Sequence, residues 1–223
     1  MAEPKPVVIF GIGDYARIAA HYLAVDSPHE VAAFTVHGSY IEGDDLRGTP
    51  VVPYEDVLDS HPPTDYSMLV AIGFSRVNQA RAEIYGECKE RGYELTSYVS
   101  SRASQWGEFS VGDNTFIFED NVIQPFVTIG NDVVLWSGNH IGHDASIGDH
   151  CFIASHVVVS GNVVIGDYCF VGVNATFRDG VKVAPRCVIG ASALIMKDTD
   201  EGGVYSVRGT KPHELKSWEL TGF

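Results

Sequence analysis

IGDHCFIASHVVVSGNVVIGDYCF, residues 147–170, contains its own copy: Ile147-Gly-Asp-His-Cys-Phe152 returns eighteen residues later as Ile165-Gly-Asp-Tyr-Cys-Phe170. Between the copies a large apolar residue recurs every sixth position, at Ile147, Ile153, Val159 and Ile165. Followed outward, the same row runs from Val111 to Ile195, fifteen hits without a slip. Neither the 3.6-residue period of a helix nor the two-residue period of a strand produces this alone. A period of six fits a parallel β-helix, in which each unit is one short strand and a turn. The residue after the apolar one is Gly or Ala at 112, 130, 142, 148, 154, 166, 172, 184 and 190. Small residues there let the chain turn a corner, and Gly tolerates positive φ. Four residues after each apolar position lies a second, tighter row that is mostly small or β-branched, including Val127, Cys151, Val157, Cys169 and Cys187.

Upstream the pattern changes. Val7-Val-Ile-Phe10 reads as a buried strand running into the glycine turn Gly11-Ile-Gly-Asp-Tyr-Ala16, then a helix to about Val25. Further strands are expected over Glu30–Val36, Gly48–Val52, Tyr66–Gly73 and Glu94–Val99. Helical turns are expected over Tyr54–His61, and a helix over Arg76–Arg91 with apolar contacts at Val77, Ala80, Ile84 and Cys88. This alternation predicts a small, mostly parallel α/β sheet, a Rossmann-like unit. The reading divides the chain into an α/β domain at 1–100, a β-helix of about five coils at 101–198, and a polar tail at 199–223 with a short helix around Pro212–Leu220.

Composition narrows the function classes. A formal charge of −14 argues against nucleic acid, whose phosphates call for clustered Lys and Arg. No apolar run approaches the ~18–20 residues of a membrane span. The start, Met1 to Pro6, carries Glu3 and Lys5 and does not read as a signal peptide, so the cytoplasm is the expected compartment. Cys151, Cys169 and Cys187 are eighteen residues apart and should stack. With no C-x-x-C pair, they read as small buried hydrophobes rather than a metal or disulfide site. His140, His143, His150 and His156 are separated by three, seven and six residues, so no metal is expected.

Gly11-Ile-Gly-Asp-Tyr-Ala16 approaches G-x-G-x-x-G with Ala in the third place. It can cradle a phosphate at a helix N-terminus. The dinucleotide reading needs an acidic residue at the end of the second strand, where this chain has Thr35 and Val36.

The hexads Ile147–Phe152 and Ile165–Phe170 resemble the hexapeptide repeat of left-handed β-helix acyltransferases. With the preceding β-α-β unit, nearly the whole chain resembles bacterial sugar acetyltransferases that modify nucleotide-linked amino sugars or sialic acid. The resemblance implies three hexads per coil, a left-handed solenoid, a homotrimer and acetyl-CoA as co-substrate. It also implies that the glycine turn receives the nucleotide's phosphates, which assigns Gly11, Gly13, Asp14, Tyr15 and Gly73 to the nucleotide-sugar substrate. Relatives using UDP-sugars often carry Gly-His and paired acidic residues where this chain has Asp14-Tyr15 and Thr35-Val36.

Ile141-Gly-His-Asp144 matches the position where the family has a His followed by an acidic residue. The resemblance makes His143 the general base and Asp144 the carboxylate that orients it. An imidazole is a suitable base near neutral pH, and a carboxylate on its other nitrogen fixes the tautomer. Gly161 matches the family's glycine facing the thioester, and Val173 and Ala191 match backbone contacts along the pantetheine arm. Lys197, Arg208 and Lys211 are cations where coenzyme A phosphates would lie. Nine residues after the base, where some relatives carry a second His, this chain has Phe152; His150 or a backbone N–H is the candidate substitute, with His140 and His156 as secondary candidates near the cleft. The implied activity is acetyl-CoA-dependent N-acetylation of a nucleotide-linked amino sugar. O-acetylation of a sialic acid or other sugar, and a non-catalytic trimeric scaffold or ligand-binding regulator, are the alternatives.

Overall fold

The computed structural model describes residues 4–219 and Thr221. The N-terminal unit contains β1 (Val7–Phe10), α1 (Asp14–Asp26), β2 (Val31–Val36), β3 (Asp45–Leu46), β4 (Thr49–Pro53), α2 (Val57–Ser60), β5 (Ser67–Val70) and α3 (Gln79–Glu90). The sheet order is β3-β4-β2-β1-β5. All pairings are parallel except that of β3 with β4. β1 and β5 are buried along their whole length, as expected of strands covered on both faces. α1 runs from β1 toward one side of the sheet and β5 lies on the other, so the strand order reverses between β1 and β5. The carboxyl ends of those two strands form the crevice in which open α/β sheets bind ligands.

Two details differ from the sequence reading. The expected strand Glu94–Val99 contributes only a bridge between Leu95 and Met68; Tyr98–Val99 instead pairs with Phe116–Ile117 and becomes the first rung of the solenoid. The helix expected from Arg76 starts at Gln79, because Arg76, Val77 and Asn78 all have positive φ, at 52°, 51° and 67°. That is an unusual run for non-glycine residues. It carries Asn78 onto the solenoid, where its amide donates to the Cys169 carbonyl at 3.0 Å.

Seventeen two-residue strands then follow at six-residue intervals from Tyr98 to Ile195, and Val204–Tyr205 adds one more. They form three parallel ladders, the sides of a left-handed triangular β-helix. The docking face contains Tyr98–Val99, Phe116–Ile117, Val134–Leu135, Phe152–Ile153, Phe170–Val171, Val188–Ile189 and Val204–Tyr205. The second face carries Val122–Ile123, His140–Ile141 and Val158–Val159. The third carries Thr128–Ile129, Ser146–Ile147 and Val164–Ile165. The solenoid therefore begins before 101 and ends after 198. Its first second-face rung breaks the apolar row with the exposed Gln105.

Both rows read from the sequence point inward: Ile117, Ile141, Ile153 and Val159 are buried with Val127, Cys151, Val157 and Cys169. The four cysteines are free and buried. The Cys151 thiol donates to the Gly166 carbonyl at 3.1 Å and the Cys169 thiol to the Ala184 carbonyl at 3.3 Å. The turn glycines act differently from expectation. Positive φ falls two residues after them, on Asp144, His150, Tyr168 and Asn174, at 58–60°. The glycine itself is needed because the next coil passes beneath it: a Cβ on Gly142 would lie 2.6 Å from the Gly161 nitrogen.

The α/β unit packs on the docking face. Tyr15, Phe116, Phe118, Val134 and Phe152 share one buried cluster. A buried polar rivet adds to it. Arg81 donates to Asp132 Oδ1 at 2.9 Å, to the Asp132 carbonyl at 3.0 Å, to the Cys151 carbonyl at 3.1 Å and to the Gly73 carbonyl at 3.2 Å. The tail has a 3-10 turn at Ser217–Glu219 where a helix was expected; Leu220 lies outside the described residues.

Candidate active site

Two groups of sequence candidates lie on opposite sides of the molecule, and four further candidates belong to neither. One group lies at the edge where the second and third faces meet. The chain leaves His140–Ile141, turns through 142–145 and enters Ser146–Ile147. His143 projects from that turn, and its side chain is 53% exposed. Its Nδ1 lies 2.8 Å from Asp144 Oδ2, and its backbone N–H donates to Gln124 Oε1 at 2.9 Å. With Nδ1–H directed at the carboxylate, Nε2 carries the lone pair. The ring rests on Gly161, one coil along: a Cβ there would lie 2.6 Å from Nε2 and 2.8 Å from Cε1. The absence of a side chain at Gly161 leaves room for the imidazole. One coil further on the same edge is Asp179, whose Oδ2 would lie 3.0 Å from the same Cβ. Lys197 follows in the same eighteen-residue register, exposed.

Val173 and Ala191 do not share this edge. They stack where the docking and second faces meet, with the Ser192 N–H bonded to the Val173 carbonyl at 2.8 Å. An elongated ligand touches them and Gly161 together only by crossing the second face or by lying between two chains. Arg208 and Lys211 are exposed beyond the last strand.

The second group surrounds the crevice at the carboxyl ends of β1 and β5. Gly11 has φ of +124° and its missing Cβ would lie 2.8 Å from the Ala71 carbonyl oxygen. Only glycine lets the chain pass there. Gly13 precedes α1 and has nothing within 4 Å of its Cβ position; Gly73 is equally open. Asp14 opens α1 and pairs with Arg17 at 2.7 Å. This is an open glycine-lined floor at a helix N-terminus, suited to an anion.

Tyr15 is a correction. The resemblance assigns it to the nucleotide-sugar substrate. It is 8% exposed and points down onto the docking face, edge-on to Phe116 at 6.0 Å. Burial pushes its hydroxyl pKa well above the ordinary value. Phe152 is also away from the base. Half a coil from His143, it lies on the docking face beneath Phe74, with ring centroids 5.1 Å apart. His150 cannot replace a second histidine at His143 in the same chain: its Nδ1 lies 2.8 Å from Asp132 Oδ2 in the rivet. His156 covers Gly138 on yet another edge. The histidines thus diverge, and among the described residues no three His, Cys, Asp or Glu side chains are grouped to hold a metal. No helix of the described residues is long and apolar enough to cross a membrane.

Sequence reasoning missed Asp179, Gln124 and the rivet. Counting in coils rather than hexads finds Asp179, since positions 143, 161 and 179 share one edge. Arg81 and Asp132 carry no sequence signal, because charged residues at such positions are ordinarily solvated.

A groove of about 470 Å³, lined by Arg17, His21, Tyr22, Glu119, Trp136 and Ser137 among others, runs along the flank of α1. It coincides with neither group.

Residues 127–161 and 162–197 match the family model described as bacterial transferase hexapeptide (six repeats). Three solved structures share the architecture. The acetyltransferase domain of PglB from Neisseria gonorrhoeae FA1090 is 20% identical with a TM-score of 0.80, covering 90% of this chain and 96% of that one. PerB from Caulobacter crescentus, in complex with CoA and GDP-perosamine, is 22% identical with a TM-score of 0.81, covering 92% and 97%. WeeI from Acinetobacter baumannii AYE is 18% identical with a TM-score of 0.69, covering 89% and 95%. No curated protein sequence matches the chain.

Proposed function

We propose that the protein is an acetyl-CoA-dependent N-acetyltransferase acting on an amino sugar linked to a nucleotide, with His143 as general base in a direct transfer. The observation that carries this reading is the His143–Asp144 pair. Asp144 holds Nδ1 at 2.8 Å, and Nε2 is left bare over a glycine. The fold likeness to PerB, whose structure holds CoA and GDP-perosamine, supports the substrate class.

The chemistry then follows from the residues. The acceptor amine attacks the thioester carbonyl carbon, and the C–N bond forms as the carbonyl π pair moves onto oxygen. Nε2 takes one proton from the nitrogen. The C–S bond breaks, and the thiolate leaves and is protonated by the imidazolium. Asp144 stabilises that imidazolium without taking the proton. A covalent acyl-enzyme has no support from the cysteines, since all four side chains are buried.

The nucleotide is assigned to the floor formed by Gly11, Gly13, Asp14 and Gly73, and coenzyme A to Gly161, Val173, Ala191, Lys197, Arg208 and Lys211. In one chain the glycine floor sits over the docking face, while His143 occupies the edge opposite that face. Joining them requires a second chain, which favours a homotrimer with each site shared by two neighbours. The test is acetyl transfer to a panel of UDP-, GDP- and dTDP-linked amino sugars, followed by thiol release. His143→Ala with near-full turnover would defeat the assignment of the base.

A further inference from the structure

We infer that Asp179 is the second acceptor for the attacking nitrogen, and that this carboxylate makes the site selective for an amine over a hydroxyl. The inference rests on the acetyl-transfer reading above and names the acceptor group at that same centre. The observation is the convergence on Gly161: Nε2 of His143 and Oδ2 of Asp179 approach the place of its absent side chain to 2.6 Å and 3.0 Å, from the coils on either side. Among the described residues the two groups form no ion pair with each other, and Asp179 makes no side-chain hydrogen bond to protein. Nothing in the fold therefore requires its carboxylate. Gly180 supplies the left-handed residue of that turn, with φ of +71°.

The geometry of an attacking amine accounts for the pair. A neutral primary amine has one lone pair and two N–H bonds. With the lone pair aimed at the thioester carbon, both N–H bonds point away and each needs an acceptor. Nε2 takes one and is the group that receives the proton. The Asp179 carboxylate accepts the other as a hydrogen bond and keeps no proton. As the C–N bond forms, nitrogen becomes positive, and a carboxylate beside it stabilises that charge more in the transition state than in the ground state. A hydroxyl has a single O–H bond, which Nε2 satisfies. Its remaining lone pair would face the carboxylate, a repulsive contact and a means of rejection.

Asp179→Asn and Asp179→Ala test this on the full-length protein, with acetyl-CoA and matched acceptors: a nucleotide amino sugar and the same nucleotide sugar bearing hydroxyl at that carbon. Losing a hydrogen bond to a charged group corresponds to roughly a ten- to hundredfold fall in kcat/KM for the amine. The expected result is that fall, carried mainly by kcat, with unchanged acetyl-CoA affinity by thermal shift and with hydroxyl transfer equal to or better than wild type. Near-wild-type kcat/KM for the amine in both variants overturns the inference, as does a matching loss of acetyl-CoA affinity, which would place the carboxylate on the coenzyme. Wild-type protein that acetylates the hydroxyl sugar and not the amino sugar overturns it while leaving acyl transfer intact. Wild-type protein that binds no acetyl-CoA and acetylates neither acceptor overturns both.

Discussion

Arg81 and Asp132 meet at 2.9 Å with neither side chain exposed to solvent. They come from different units, α3 and the edge between the third and docking faces. Asp132 is further held by the Asn114 amide at 2.7 Å and by His150 Nδ1 at 2.8 Å. Such a pair contributes little net stability but is costly to break on one side. Arg81→Ala is expected to lower unfolding free energy by about 3–5 kcal/mol, because it strands a buried carboxylate. Arg81→Met with Asp132→Asn should recover part of that loss, because Asn keeps an acceptor for the Asn114 amide and tolerates the φ of 53° at this position. Denaturant titration of the two singles and the double measures it; additive losses would show that the two groups act independently.

Gly161→Ala separates activity from folding. Its φ is not left-handed, and the three atoms nearest to an added methyl group all belong to the tips of His143 and Asp179. Side-chain tips yield where backbone would not, so the thermal midpoint should shift by only a few degrees. The base, however, must swing off its carboxylate-held position. A misplacement on the order of 1 Å costs about a hundredfold, so kcat should fall by about that factor. Acetyl release assays and a thermal scan decide it; a midpoint collapse in step with activity would mean that the glycine is structural only.

Acid stability has a specific contributor. Asp26, at the end of α1, accepts from Tyr98 at 2.5 Å, from the Ser101 N–H at 2.9 Å and from the Ser100 hydroxyl at 3.2 Å. The Ser101 and Tyr98 hydrogen bonds hold its carboxyl at about 2, below its ordinary 3.8. A depressed folded-state pKa stabilises above the unfolded value and is lost as pH falls through the folded one. Asp26→Asn should therefore be less stable than wild type at pH 5–7 by a constant margin, and the margin should shrink between about pH 4 and pH 2. Chemical denaturation across that range reads the difference; a margin independent of pH would sink the assignment.

Periodicity made the solenoid legible because its signal is redundant: each inward side chain is specified many times over by its register. The α/β strands were legible for the same reason, as buried apolar runs between glycine turns. What failed was local and single. The strand expected at Glu94–Val99 divides because Tyr98 finds a better partner in Phe116, a contact no local pattern announces. Tyr15 turns inward because aromatic residues from two successive coils wait beneath it. The His-Asp pair was found by resemblance, and its hydrogen bond is adjacent in sequence. Asp179 needed the coil geometry, since it meets His143 only after two full turns of the helix.

The placement of His143 opposite the docking face gives the last prediction. If a site joins the His143 edge of one chain to the glycine floor of another, two inactive variants should complement. His143→Ala removes the base. Gly13→Phe fills the floor; its backbone is extended, with φ of −78°, and its Cβ position is open, so the substitution strains nothing. Each alone should be inactive, and each should sediment at three times the 24.2 kDa chain. After subunit exchange at equal amounts, random assortment in a closed ring gives about a quarter of the interfaces both intact halves. Activity should return to about that fraction of wild type. A site built within one chain would return none, and a monomeric mass for the wild type would remove the premise.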